Sequence, residues 1–230
     1  NNHKPFSAFS HDKEVASPGY YSVRLLDYDI KAELTATPRT GIQRFTFPKD
    51  SLSQIHVDLG YALNWDKATK THIKVVNDSV IEGYRKSTGW AKDQRVYFVM
   101  KFSKAFKDFE ILEGGEEVPA NEITAKNTKI ILNYETTSEE QIVVKTGVSS
   151  ANIEGAYASL ETEAPDFNFE NYRENADDIW EKELQKIKIE TPDSNQKSVF
   201  YTMMYQSMLA PTLLSDPNGN YKGANDSIEH

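Results

Sequence analysis

Ile30-Lys-Ala-Glu-Leu-Thr-Ala-Thr37 alternates apolar Ile30, Ala32, Leu34 and Ala36 with polar Lys31, Glu33, Thr35 and Thr37. A period of two sends successive side chains to opposite faces of a strand, so this stretch predicts one face on a core and one in water. The same pattern runs on either side of it, from Tyr20 to about Ser149. Arg44–Phe47, Gln54–Asp58, Ser79–Tyr84, Arg95–Met100, Lys129–Leu132 and Gln141–Gly147 all read as short strands bounded by turn residues. Gly114-Gly115, between Leu112-Glu113 and Glu116-Glu117, reads as a hairpin turn. Roughly ten strands with a turn signal about every ten residues predict a mainly β fold, a large antiparallel β-sandwich.

Beyond Gly155 the alternation is lost through Ala156–Glu163, and Pro165 punctuates the chain. From Phe169 to Ile187 the apolar residues Phe169, Tyr172, Ala176, Ile179, Trp180, Leu184 and Ile187 recur at steps of three and four, which predicts an amphipathic helix. A second helix follows, with Asp193 or Ser194 as its cap. Val199, Tyr201, Met203, Met204, Met208 and Leu209 make it apolar almost all round, as in a helix enclosed by other helices. The organisation expected is a sandwich over residues 1–163, a helical linker over 164–192 and the opening of a helical domain over 193–230. Partners for that second helix do not follow, so the chain reads as cut, and an exposed apolar patch at Val199–Leu209 is expected to promote self-association.

With 26 basic and 35 acidic residues among 230, the formal net charge is -9, which disfavours nucleic acid and anionic membranes as partners. The absence of cysteine excludes disulfides, thiolate zinc sites and a cysteine nucleophile. A mean hydropathy of -0.62 without a long apolar run gives no membrane span. No signal peptide is read at Asn1–Ser10. A cysteine-free, Tyr- and Asn-rich composition accords with an exported bacterial protein, periplasmic or extracellular.

The residues that carry chemistry are few. His3, His11, His56, His72 and His230 form no metal-ligand spacing with one another. Asp216-Pro-Asn-Gly-Asn220 has the composition of a calcium loop without its spacing, since Gly219 stands fourth and no glutamate stands twelfth; it reads as a turn. The neighbouring acids Asp27 and Asp29, Glu139 and Glu140, and Asp177 and Asp178 read as solvated faces rather than an acid and base across a cleft. Asn77-Asp-Ser79 and Asn225-Asp-Ser227 match the short glycosylation acceptor pattern. Trp90, after Gly89 between two strands, is open to two readings: a ring that stacks on a sugar, or one that packs in a core or domain contact. A basic groove, a glycine-rich phosphate loop and a serine nucleophile elbow are all missing from the sequence.

Four collinear segments resemble glycoside hydrolase family 92, the calcium-dependent exo-acting α-mannosidases. They are Phe9–Val23; Ala32–Gly41 leading to Phe45–Pro48; Gly89-Trp90 with Val96–Phe98 and Phe102-Ser103; and Phe200-Tyr201 through Asp216, Gly219, Tyr221 and Gly223. The resemblance implies an N-terminal β-sandwich, helical linkers and an (α/α)6 barrel, of which residues 193–230 would hold the first helix. It implies inverting hydrolysis of terminal α-linked mannose, with α-1,2 the expected linkage, from mannose-rich N-glycans or mannan. A glutamic acid would protonate the leaving oxygen, an aspartate would activate water, and calcium would help distort the ring.

No residue here matches either catalytic carboxylate or a calcium ligand. Both are expected beyond His230, in the remainder of the catalytic domain, and the glycine-rich entry motif is expected upstream of Asn1, so the 230 residues alone are expected to be inactive. Asn225 or Asp226 would match the family's aspartate that reaches the terminal mannose, with Asp226 favoured because a carboxylate accepts from two hydroxyls. Tyr221 and Gly223 would shape that loop. Two other readings stay open: a different glycosidase or phosphorylase built from a β-sandwich and an (α/α)6 barrel, and a free-standing carbohydrate-binding module centred on Trp90.

Overall fold

A computed structural model describes residues 6–62, 64–210, 212–224 and 227–230. The strands are β1 (Glu14–Ser17), β2 (Tyr20–Leu25), β3 (Ile30–Ala36), β4 (Thr40–Phe47), β5 (Asp50–Asp58), β6 (Lys67–Asn77), β7 (Val80–Thr88), β8 (Gln94–Phe102), β9 (Asp108–Glu113), β10 (Glu116–Val118), β11 (Glu122–Ala125), β12 (Thr128–Thr136) and β13 (Glu140–Ser149). Helices α1 (Ile153–Glu163), α2 (Phe169–Leu184) and α3 (Ser194–Ser207) follow, then a hairpin of β14 (Tyr221–Lys222) and β15 (Ile228–Glu229).

The strands form an antiparallel nine-stranded sheet in the order β1-β2-β3-β4-β13-β8-β7-β6-β11, and a four-stranded sheet in the order β10-β9-β12-β5. The two stack through alternate residues. Ile73, Ile81, Phe98, Met100, Ile142 and Val144 of the large sheet meet Ile55, Ile111, Ile130, Leu132 and Tyr134 of the small one. Burying each such side chain contributes about 1.5–3 kcal/mol, so this cluster is the main source of stability. The expected hairpin turn is present, with Gly114 and Gly115 at φ of 59° and 97°.

Over β3 and β4 the other face of the large sheet is not in water, and here the reading of Ile30–Thr37 is corrected. Glu33 and Thr35 are buried, while Leu34 on the opposite face is 37% exposed. The reason lies in what covers each face. Helix α2 rests on the outer face of β3 and β4, with Phe169 and Tyr172 packed among Ile42, Val143 and Ala164. The small sheet, in contrast, does not extend to the β1 edge: among the described residues, none from β1 or β2 joins the inter-sheet cluster.

Glu33 remains charged in this buried place because it is fully paired. Arg44 donates to both its oxygens, at 2.8 and 2.9 Å, Tyr20 Oη donates at 2.7 Å, and Lys31 Nζ lies at 3.0 Å. Burial opposes the charge, but these hydrogen bonds outweigh it and hold the carboxyl at about 2. Arg44 in turn reaches Glu170 at 2.7 Å and lies 4.2 Å over the Phe169 ring, which ties the start of α2 to the sheet.

Helix α1 lies where the sequence shows only lost alternation. Its apolar stripe is short: Ala156 and Leu160 pack on Val99 at the centre of the sheet. Asn152 caps it by accepting from Gly155 N. Small residues make the approach possible, since a Cβ on Gly147 would stand 2.4 Å from the Ala156 carbonyl. The expected capping of α3 by Asp193 is present, and so is the expected exposed apolar patch. Among the described residues none in α3 is buried, and Val199 and Met203 are more than half exposed. Its contact with α2 runs through Trp180 and Tyr205, edge to face at 4.7 Å. No helix among the described residues is long and apolar enough to cross a membrane.

Candidate functional site

Asn225 and Asp226, the two residues matched to a sugar contact, lie outside the described residues, so only the frame around them can be built. That frame starts at Asp216. Its backbone carbonyl accepts from Gly219 N at 2.9 Å and its N–H donates to Asn220 O at 2.7 Å, closing a turn in which Gly219 sits at φ of 89°. The segment is thus a turn, and its carboxylate faces inward, 2% exposed, accepting from Ser149 Oγ at 2.9 Å. Burial pushes the Asp216 carboxyl up, against the Ser149 hydrogen bond and the charge of Arg39.

The carboxylate is seated where β13 passes into α1, so close that a Cβ on Gly155 would stand 2.0 Å from Oδ2. Arg39 Nε donates to Ser215 O at 2.6 Å and Ser150 Oγ to Leu214 O at 3.1 Å, fixing the approach to the turn. On the far side Lys222 N donates to Ser150 Oγ at 3.3 Å, and Lys222 Nζ donates to Asp93 O at 3.0 Å. Gly223 N donates to Ser227 O at 2.8 Å, closing the hairpin that brackets residues 224–226. The hairpin is therefore clamped to the sandwich at two places.

The second clamp leads to an aromatic pair. Asp93 belongs to the β7–β8 loop, which carries Trp90, and Trp90 is 87% exposed. Trp65, on the β5–β6 loop, is 59% exposed, and the ring centroids are 5.6 Å apart at 58°. The sequence singled out Trp90 but not Trp65, which lies between the strands read at Gln54–Asp58 and Ser79–Tyr84.

The remaining sequence candidates are placed apart. His11 bonds Glu14, His56 faces Gln54, His72 stacks on Tyr84, and His230 meets Asn220; His3 lies outside the described residues. Asp29 pairs with Arg24, Asp27 accepts from Ala8 N, and Glu140 binds Lys104. A cavity of about 1130 Å³ runs between α2 and β2–β4, bordered by Tyr20, Glu163, Asp166, Asn175 and Trp180. Two of its carboxylates are already committed: Glu163 to Arg39 and Thr37, and Asp166 to Tyr172 and Asn168 N. Among the described residues no group of three or more His, Asp or Glu side chains is placed to hold a metal ion. The calcium implied by the resemblance therefore does not fit these residues, whose one buried loop aspartate, Asp216, is turned onto Ser149 instead.

Two family models match the chain: the glycosyl hydrolase family 92 N-terminal domain over residues 1–149 and the glycosyl hydrolase family 92 catalytic domain over residues 155–230. Among solved structures, a family 92 α-mannosidase from Bacteroides thetaiotaomicron is 34% identical with a TM-score of 0.90, over 97% of this chain and 31% of its own. The same enzyme in complex with mannoimidazole gives 34% and 0.90, over 97% and 30%. A family 92 inverting mannosidase from Bacteroides thetaiotaomicron VPI-5482 gives 22% and 0.85, over 97% and 30%, a likeness of fold. The chain thus spans about a third of the length of these structures. No curated protein matches it.

Proposed function

This chain belongs to glycosyl hydrolase family 92, and on that premise we propose that it is part of an exo-acting, inverting α-mannosidase that removes terminal α-linked mannose, α-1,2-linked first, from N-glycans or mannan. The observation that carries the reading is the 34% identity, over nearly the whole chain, to an α-mannosidase whose structure has been solved with mannoimidazole. In an inverting reaction one carboxylic acid protonates the leaving oxygen while a carboxylate across the ring activates water. We assign neither to these 230 residues, place the rest of the catalytic domain outside them, and expect the chain alone to be inactive. The calcium of the family is likewise proposed to be held elsewhere, and no step is routed through it. The proposed setting is bacterial, periplasmic or extracellular.

What these residues contribute is position. Asp226 would accept hydrogen bonds from hydroxyls of the terminal mannose. Asp216, Ser149, Ser150 and Lys222 hold the ends of its hairpin against the sandwich. The test uses the full-length gene product and a panel of α-1,2-, α-1,3-, α-1,4- and α-1,6-mannobioses. Asp226→Ala is expected to lower kcat/KM by about 10- to 100-fold, the scale of a lost hydrogen bond to a charged group. Unchanged kinetics would remove Asp226 from the site.

A further inference from the structure

We propose that Trp65 and Trp90 form a stacking platform for an acceptor-side sugar of the glycan, a proposal that rests on the glycosidase reading. Both rings stand out from loops: Trp65 is 59% exposed and Trp90 87%. With centroids 5.6 Å apart and planes at 58°, they make an open angle rather than a packed stack. A pyranose presents a face of C–H groups rimmed by hydroxyls, and an indole face takes the former while polar neighbours take the latter.

The surroundings separate this occupant from a broad apolar partner. The rings rise from polar ground, with Asn64 and Lys92 exposed beside them and Asp66, Arg85 and Asp93 around their bases. That is a small apolar surface with a hydrogen-bonding rim, suited to a sugar.

The loops are also held in place. Arg85 Nε donates to Leu59 O at 3.0 Å, and its Nη2 pairs with Asp66, which fixes both ends of the Trp65 loop. A Cβ on Gly89 would stand 3.3 Å from Asp66 Oδ2, so the Trp90 loop is packed against the same aspartate. Arg95 holds the Asp93 carboxylate at 2.6 and 3.1 Å, and Lys222 takes its carbonyl. Lys222 stands four residues before Asp226. The platform loop and the hairpin proposed to meet the terminal mannose thus share one anchor.

The experiment compares full-length wild type with Trp65→Ala, Trp90→Ala and Trp90→Tyr, on methyl α-mannoside, which has one sugar, and on mannotetraose. Each Ala variant is expected to raise KM for mannotetraose about tenfold, the scale of one lost aromatic contact. Methyl α-mannoside kinetics should be unchanged, and Trp90→Tyr should recover most of the loss by restoring a π face. Equal effects on both substrates, or lost activity with a lowered Tm, would overturn the proposal by making the rings structural packing. If wild type releases no mannose from either, the same proteins are titrated with mannotetraose, xylotetraose and cellotetraose while tryptophan emission is followed. Quenching that both Ala variants abolish would uphold the platform while the mannosidase reading falls; no quenching by any sugar would remove the platform too.

Discussion

Glu33 shows how a single residue reports on what covers a sheet. Its alternation with Ala32 and Leu34 is legible, but its surroundings are not, because a strand with a helix on its outer face has the same period as one facing water. The burial is supported by Arg44, Tyr20 and Lys31. Glu33→Gln is expected to lower stability by about 2–4 kcal/mol, because it leaves Arg44 short of its buried partner. The pH dependence has a definite sign. The folded carboxyl is held at about 2 against an ordinary value of 4.5, so its contribution is full above about 4.5 and is lost as pH falls toward 2. Urea unfolding across that window should fall more steeply for wild type than for Glu33→Gln, and parallel curves would refute the assignment. Asp226 is proposed through family resemblance alone, since an isolated Asn-Asp-Ser carries no geometry of its own.

Among the elements, strands with strong alternation were legible and those rich in polar residues were not. Strand β6 is eleven residues long, yet a bulge between Ala68 and Lys70 and the buried Thr71 interrupt an inward face of Ala68, Ile73 and Val75. Helix α1 was hidden for a different reason: close approach to the sheet selects Gly155, Ala156 and Ser159, and small residues weaken an amphipathic signal. The same closeness gives a test. A Cβ at Gly155 would displace the Asp216 carboxylate, so Gly155→Ala is expected to cost about 1–3 kcal/mol and to expose residues 214–223 to proteolysis. Proteolysis at the wild-type rate would mean that the hairpin does not depend on this seat. Helix α3 was legible in its position, its cap and its exposed apolar patch. Its exposed Val199 and Met203 give a second expectation, that Val199→Glu with Met203→Glu suppresses self-association of the 230-residue chain while its Tm stays within a few degrees. Sedimentation velocity across a concentration series decides it.

At the scale of the molecule, the fold class was legible because period-two segments and turns recur along most of the first 150 residues. The unequal sheets and the helices laid over the larger one were not, because strand order follows from long-range packing that no local pattern encodes. The Trp65–Trp90 pair has the same origin, two loops some 25 residues apart brought together by the β6–β7 hairpin. In the proposed function these residues hold a substrate loop and an outer platform, and the chemistry lies in other parts of the protein. The most direct measurement is mannose release from α-linked mannobioses, with calcium and with chelator, by this chain and by the full-length product of its gene. Chelator-sensitive release by the full-length protein alone is the expected result; release by the 230-residue chain, or none from folded full-length protein, would contradict the proposed function.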